Sequence, residues 1–433
     1  MHLSHYLKNF PLDTSSGLTV LYSTKNGALV VVEDADFVAL KSGSFDGEIV
    51  PQLAELGFVV DDLEAEQQEV FSFVDQINKR CSGLYLDIIL GMACNFACSY
   101  CYEGSLKADK SSMSADTAAQ LLKYVEGQFE DRDKLSITFY GGEPLLYVPL
   151  IRQLCQGFQE MTAQREREFE FSLITNGSLL TSETVKSLIP YGLVGAKITL
   201  DGPPDLHNNS RPYISGKPSF AVILENLRSC ADLITLSLGG NFTEHIYNRF
   251  PELLDILAEK DLGPDHLHQV RFASVMQQTD DVAESSYRQG CETLTETWLV
   301  QAQSMLREKI LAAGYYYPEE KPNPCKVLRH DSLTINYDGT LCKCPVLIGR
   351  PDYEIGDIWN GVKEISMYHT DNWQYENKCR SCQYLPLCFG GCRYLALVRD
   401  GNMEKVDCLK GSFDNTLENF ILQDIKYRYG ESE

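Results

Sequence analysis

An α/β fold of parallel βα units is predicted for the middle of this chain, flanked by a small α+β module and a cysteine-dense region. Three observations carry the prediction. Between residues 84 and 315, six β-rich runs alternate with amphipathic helical stretches: LYLDIIL, LSITFYGG, FEFSLITNG, VGAKITLDG, ITLSLGGN and QVRFASV. Strands interleaved with helices imply parallel pairing, as a partial barrel or as a doubly wound sheet. The run ends GGE, TNG, LDG and GGN are polar and glycine-rich on the carboxyl side, the edge where βα folds bind ligands. From about residue 320 the patterning weakens, and eight of the fifteen cysteines fall in Cys325–Cys408.

Residues 1–80 contain no cysteine. There GLTVLYSTKNGALVVV alternates apolar and polar residues around Lys25, Asn26 and Gly27, which predicts a β-hairpin with an Asn-Gly turn. Helical patterns follow, and LGFVVDD leads from a short strand into a charged helix. This is an α+β module of winged-helix size. The expected division is therefore 1–80, 84–315 and 320–433.

Composition narrows the function. No run of 18 apolar residues occurs, so no membrane span is expected, and the start MHLSHYLKNF lacks a basic region followed by an apolar one. A cytoplasmic protein is expected. The net charge of −23 argues against nucleic acid as a partner, since phosphates require a basic stripe. Without an export signal, fifteen cysteines point away from disulfides and toward metal or cluster binding.

After the first strand stand Cys94, Cys98 and Cys101, spaced Cys-x3-Cys-x2-Cys. Three thiolates on one loop suit three irons of a [4Fe–4S] cube and leave the fourth iron open. Fifteen cysteines placed at random over 433 residues would give this spacing roughly 0.02 times per chain. Zinc would require a fourth ligand close by, and neither His nor Cys follows closely.

On this loop the sequence resembles the radical S-adenosylmethionine (SAM) superfamily, which has an aromatic residue before the third cysteine, here Tyr100. Gly141-Gly142-Glu143-Pro144 resembles the family's GGEP motif, implying contact with the SAM amino group; glycines admit close backbone approach and a carboxylate partners an ammonium. Thr175-Asn176-Gly177, and Thr199 through Asp201-Gly202 with His207, Asn208 and Arg211, resemble its TNG and LDG segments. The implied roles are hydrogen bonds to the SAM ribose for Asn176, Thr199 and Asp201, and a charge partner for the SAM carboxylate at Arg211. His207 is expected to be structural. The resemblance implies a partial (β/α)6 TIM-type barrel.

The later cysteines run Cys325, Cys344, Cys379, Cys382, Cys388, Cys392 and Cys408, with Cys342 two residues before Cys344. The layout resembles the SPASM iron–sulfur domain of radical SAM enzymes that modify peptides. The resemblance implies two auxiliary [4Fe–4S] clusters, three in all. Cys379, Cys382, Cys388 and Cys408 would hold the distal one, and Cys325, Cys344 and Cys392 the one nearer SAM. Either Cys342 completes the latter or an iron stays free for a substrate thiolate. Cys81, Cys155, Cys230 and Cys291 carry no assigned role; Cys155 and Cys230 are expected to be buried.

The same resemblance implies a maturase acting on a ribosomally made precursor peptide. The N-terminal module would bind the leader, and an external one-electron reductant of flavodoxin or ferredoxin type would feed the cluster. A thioether crosslink ranks first and carbon–carbon or cyclophane formation second. Formylglycine formation ranks below both, because Pro345 stands where sulfatase maturases carry a basic aspartate. A non-catalytic electron carrier ranks last.

Overall fold

The computed structural model describes every residue except 102, 105, 107–109, 276–295, 364–371 and 431–433. Cys291 lies outside the described residues.

The six expected strands are β6 (Gly83–Ile89), β7 (Lys134–Tyr140), β8 (Glu168–Thr175), β9 (Leu193–Thr199), β10 (Thr235–Phe242) and β11 (Leu267–Ser274). They stand side by side in chain order, every pair parallel. A doubly wound sheet reverses its strand order at a switch point. Here the order never reverses, so the partial barrel is the form adopted.

Side chains alternate along each strand. Leu135, Ile137 and Phe139 of β7 and Leu236, Leu238 and Phe242 of β10 are buried against the helices. The intervening residues, such as Thr138, Ser172, Lys197 and Ser237, line the concave lumen. Helices Ala115–Gln128, Val148–Ala163 and Phe220–Cys230 cover the outside. Cys155 and Cys230 are fully buried in that layer, as their helical patterns indicated.

One feature was not expected from the strand pattern. The sheet does not end at β6 but continues through β12 (Ser332–Ile335), which pairs with it in parallel. Beyond it, β13 (Thr340–Cys342), β14 (Gly356–Asp357) and β15 (Gly361–Val362) follow as antiparallel strands. The cysteine-rich region is thus hydrogen-bonded to the barrel's first strand. Its four strands are two to four residues long, too short for a periodicity to register.

At the other end of the chain, β1 (His2–Leu3) pairs with β5 (Val59–Val60), and β2 (Leu7–Pro11), β3 (Leu18–Ser23) and β4 (Leu29–Glu33) form an antiparallel sheet. The predicted Asn-Gly turn joins β3 to β4: Gly27 adopts φ +77°, and Asn26 Oδ1 accepts from the Ala28 N–H at 2.9 Å. Strand β3 faces two cores. Leu21 packs with Phe37, Leu53 and Phe58 inside the module. Val20 and Tyr22 point the other way and pack with Tyr384, Leu387, Leu417 and Ile421. Among the described residues no helix is long and apolar enough to cross a membrane.

Candidate active site

The cysteine loop leaves β6 at the carboxyl edge of the sheet, and Cys94, Cys98 and Cys101 are all half-buried there. The loop is supported from beneath by the ends of β7 and β8. The Glu143 N–H donates to the Ala93 carbonyl at 2.9 Å. A Cβ on Gly142 would stand 2.3 Å from that carbonyl and 2.4 Å from that of Met92, so only glycine permits this approach. Gly141 takes φ +101°.

Glu143 is fully buried. Its Oε1 accepts from the Leu145 N–H and the Thr175 hydroxyl at 2.9 and 2.8 Å, and its Oε2 accepts from the Asn176 N–H at 2.8 Å. The carboxylate thereby stitches GGEP to TNG, while burial pushes it up from the usual carboxylate range. The Asn176 side chain donates to Asn95 Oδ1 at 2.7 Å and lies 3.9 Å from Cys94 Sγ.

On the opposite flank Tyr100 is the strut. Its hydroxyl donates to Asp201 Oδ2 at 2.5 Å and accepts from Arg211 Nη1 at 2.7 Å and Asn241 Nδ2 at 3.1 Å. Asp201 is fully buried, its other oxygen taken by the Asn241 N–H at 2.8 Å. Asp201, for which the motif resemblance implied contact with a ribose, lies in this network beneath the loop. Arg211 pairs with Tyr100 rather than standing free, and its Nε is buried without a hydrogen-bond partner among the described residues. Thr199 is half-buried on the lumen face. His207 is fully buried: Nδ1 accepts from the Asp201 N–H at 3.1 Å, which fixes Nε2 as the donor to Ser219 Oγ at 3.0 Å. The ring is structural, as expected.

Sequence reasoning missed Asn95, which binds Asn176 and Ser178, and Asn241, which closes the Tyr100 network. Asn241 ends the GGN run, so its polar strand-end position was the available signal.

Among the described residues no three His, Cys, Asp or Glu side chains converge as the ligands of a single metal ion would. The later cysteines nonetheless sort into two neighbourhoods. Burial pushes the Cys344 thiol up to about 12, with Cys325 and Cys392 adding to the shift. Burial likewise raises Cys388 to about 12, with Cys382, Cys379 and Cys408 adding to it. Cys342 is also buried; its sulfur is engaged with the Cys344 carbonyl at 3.4 Å, and burial with the neighbouring Cys344 raises its thiol to about 12. The first neighbourhood adjoins the barrel lumen, where Lys326 pairs with Asp87 of β6 at 2.5 Å.

Residues 88–255, from β6 through the loop network just described, match the family model of the radical SAM superfamily. This is a radical SAM domain, and the protein is an enzyme. Such a domain uses SAM and a [4Fe–4S] cluster. The residues present suit both groups: three thiols stand on a loop fixed from two sides, above a glycine cradle and beside the unpartnered Nε of Arg211.

Relatives of this radical SAM enzyme include a serine-type anaerobic sulfatase-maturating enzyme of Bacteroides thetaiotaomicron, 22% identical over 352 residues, covering 70% of this chain and 80% of the relative. The radical SAM cyclopropyl synthase TigE of Paramaledivibacter caminithermalis is 22% identical over 403 residues, covering 85% and 80%. Among solved structures, native anSMEcpe with bound AdoMet and Kp18Cys peptide superposes with TM-score 0.61 at 16% identity, covering 80% of this chain and 97% of the other. That superposition establishes a shared fold.

Proposed function

We propose that this enzyme installs a crosslink, in the first instance a sulfur-to-carbon thioether, in a ribosomally made precursor peptide. The observation that carries the reading is the pairing of the open three-cysteine loop with the Cys325, Cys344 and Cys392 neighbourhood beside the lumen. A substrate carbon lying in the lumen would have the radical source on one side and a sulfur-holding or electron-accepting centre on the other.

Cys94, Cys98 and Cys101 would hold the SAM-binding cluster. The two later neighbourhoods would hold auxiliary clusters, the nearer one completed by Cys342 or by a substrate thiolate. When bound, SAM and its cluster supply a 5′-deoxyadenosyl radical that removes a hydrogen atom from the substrate. The protein's own residues then have two tasks. Gly142, Glu143 and Asn176 hold the loop over the strand ends, and Tyr100 with Asp201 fixes its far side. Arg211 Nε, without a hydrogen-bond partner among the described residues, is suited to a carboxylate.

The module at 1–80 is assigned to the leader peptide, bound by strand addition to an edge of the β2–β3–β4 sheet, a mode that reads mainly backbone. A one-electron reductant of flavodoxin or ferredoxin type would complete the reaction. The relative named as a cyclopropyl synthase keeps carbon–carbon bond formation as the second reading. Pro345 disfavours formylglycine formation despite the sulfatase-maturating relative.

The test is a mass spectrum of the precursor encoded beside the gene, after anaerobic incubation with the reconstituted full chain, SAM and reductant. Loss of two hydrogens, with fragmentation suppressed between two residues, is expected, and blocking the peptide's cysteines should abolish it. Loss that survives blocking would support a carbon–carbon link. Formation of 5′-deoxyadenosine with an unchanged peptide would contradict the substrate assignment.

A further inference from the structure

The lumen floor carries two cations that the network around the cysteine loop does not use. Lys197 of β9 and Arg271 of β11 both face inward, because their neighbours Ala196, Ile198, Val270 and Phe272 are buried against the helices. Between them on β10 lies Gly239, in register with Arg271. Lys197 is in register with Ser237, yet its stem leans one step toward the carboxyl edge. A Cβ on Gly239 would stand 3.4 Å from Lys197 Cε and 3.9 Å from the Arg271 carbonyl. The lysine stem thus lies across β10 toward the arginine, at ordinary contact distance from the Gly239 position.

On its other side Arg271 is near the Tyr317 hydroxyl and the Glu320 carboxylate. Lys197 has no hydrogen bond or ion pair among the described residues. Lys197 is exposed to the open lumen, where partial desolvation and the charge of Arg271 both work against its protonation. In a chain with 61 acidic and 38 basic residues, a lysine without a carboxylate and next to an arginine is an unfavourable choice for stability alone. Its position makes sense if the partner arrives from outside. Asn241, two residues beyond Gly239 on the same face, donates to Tyr100 at 3.1 Å. The cations therefore lie about 7 Å below the loop network along the strand, within reach of a side chain beside the reacting residue.

Resting on the peptide-maturase reading, we infer that Lys197 and Arg271 form a carboxylate-binding site that seats an acidic group of the peptide substrate. The group is an aspartate or glutamate side chain, or the peptide's terminal carboxylate. The shape and charge of the site treat these alike. Lysine and arginine supply donors to both carboxylate oxygens, worth about tenfold or more in discrimination against the neutral amide.

The test uses the SAM-loaded, reconstituted full chain and two pools of randomised nonapeptides, one amidated at its C-terminus and one with a free C-terminus but lacking Asp and Glu. Peptides retained by the protein are identified by mass spectrometry. A surface of net charge −23 selects against acidic peptides, so their enrichment cannot come from bulk attraction. The expected result is about tenfold enrichment of Asp and Glu over Asn and Gln in the first pool, or of the free-acid pool over an amidated control. These two arms tell a side-chain carboxylate from a terminal one. Enrichment should vanish in Lys197→Gln and return in Lys197→Arg.

Retention of peptides without preference for a carboxylate would overturn the inference and leave the maturase reading standing. A preference undiminished in both Lys197→Gln and Arg271→Gln would also overturn it. So would a Lys197→Gln variant that loses SAM binding in equilibrium dialysis while peptide selection is unchanged, since the cations would then serve the cofactor. Retention of no peptide from either pool would overturn this inference, while the maturase reading, which has the leader bound at residues 1–80, is overturned by the precursor experiment alone.

Discussion

Tyr100 shows how much one hydroxyl can organise. It joins a carboxylate, a guanidinium and an amide that come from three other segments, and all four groups sit under the cysteine loop. Tyr100→Phe removes one partner from both Asp201 and Arg211 while leaving them enclosed. Hydrogen bonds to charged groups are worth about 1.5–3 kcal/mol, so a loss of about 2 kcal/mol in urea unfolding is expected. His207 makes a pH prediction at the same scale. Burial holds its pKa down to about 3, with Arg211 adding to the effect, against an ordinary value of 6.5. Between those values the unfolded chain binds a proton that the folded one refuses, so stability is full above about pH 6.5 and falls as the pH drops toward 3. The slope is about 1.4 kcal/mol per pH unit, and unfolding midpoints should show it flattened in His207→Asn. The motif residues themselves were legible because glycine and cysteine spacings are one-dimensional. The strut was not, since Tyr100, Asp201, Arg211 and Asn241 meet only after the barrel has curled.

At the scale of elements, the six barrel strands and the Asn-Gly hairpin could be read directly, because each carries a local period of two or a turn residue with a local job. The strands β12 to β15 could not, because their pairing depends on a free edge of β6 more than 240 residues earlier in the chain. The cysteines gave order and spacing but left Cys342 undecided. Its sulfur is engaged with the Cys344 carbonyl at 3.4 Å. Cys342→Ser is therefore expected to retain the iron content of the reconstituted protein, while Cys344→Ser or Cys392→Ser should lose about four irons per chain, one cube. Iron and sulfide assays with Mössbauer spectra would decide the matter. A loss in Cys342→Ser equal to that in Cys344→Ser would make it a ligand.

Across the whole molecule, the C-terminal helix Lys410–Asp424 ties the units together. It packs on helix Thr297–Ala312, where Arg307 donates to Asp424 at 2.7 Å and to the Phe420 carbonyl at 2.9 Å, with no exposure of the arginine side chain. Removing one partner of a buried pair costs about 3–5 kcal/mol. Arg428 stays 2.7 Å from Asp424 and moderates the loss, so Arg307→Met should fall near the lower bound, about 3 kcal/mol by chemical denaturation. The same helix offers Leu417 and Ile421 to Val20 and Tyr22 of the N-terminal sheet, so the two ends of the chain share one apolar core. Nothing in a local window of sequence announces that shared core. The central claim, radical SAM chemistry at Cys94, Cys98 and Cys101, has a direct test in 5′-deoxyadenosine release from SAM under dithionite. Wild-type protein should release it, and a Cys94, Cys98, Cys101→Ala variant should release none while keeping the iron bound by the later cysteines. Release undiminished in that variant, or none from fully reconstituted wild type, would contradict the account.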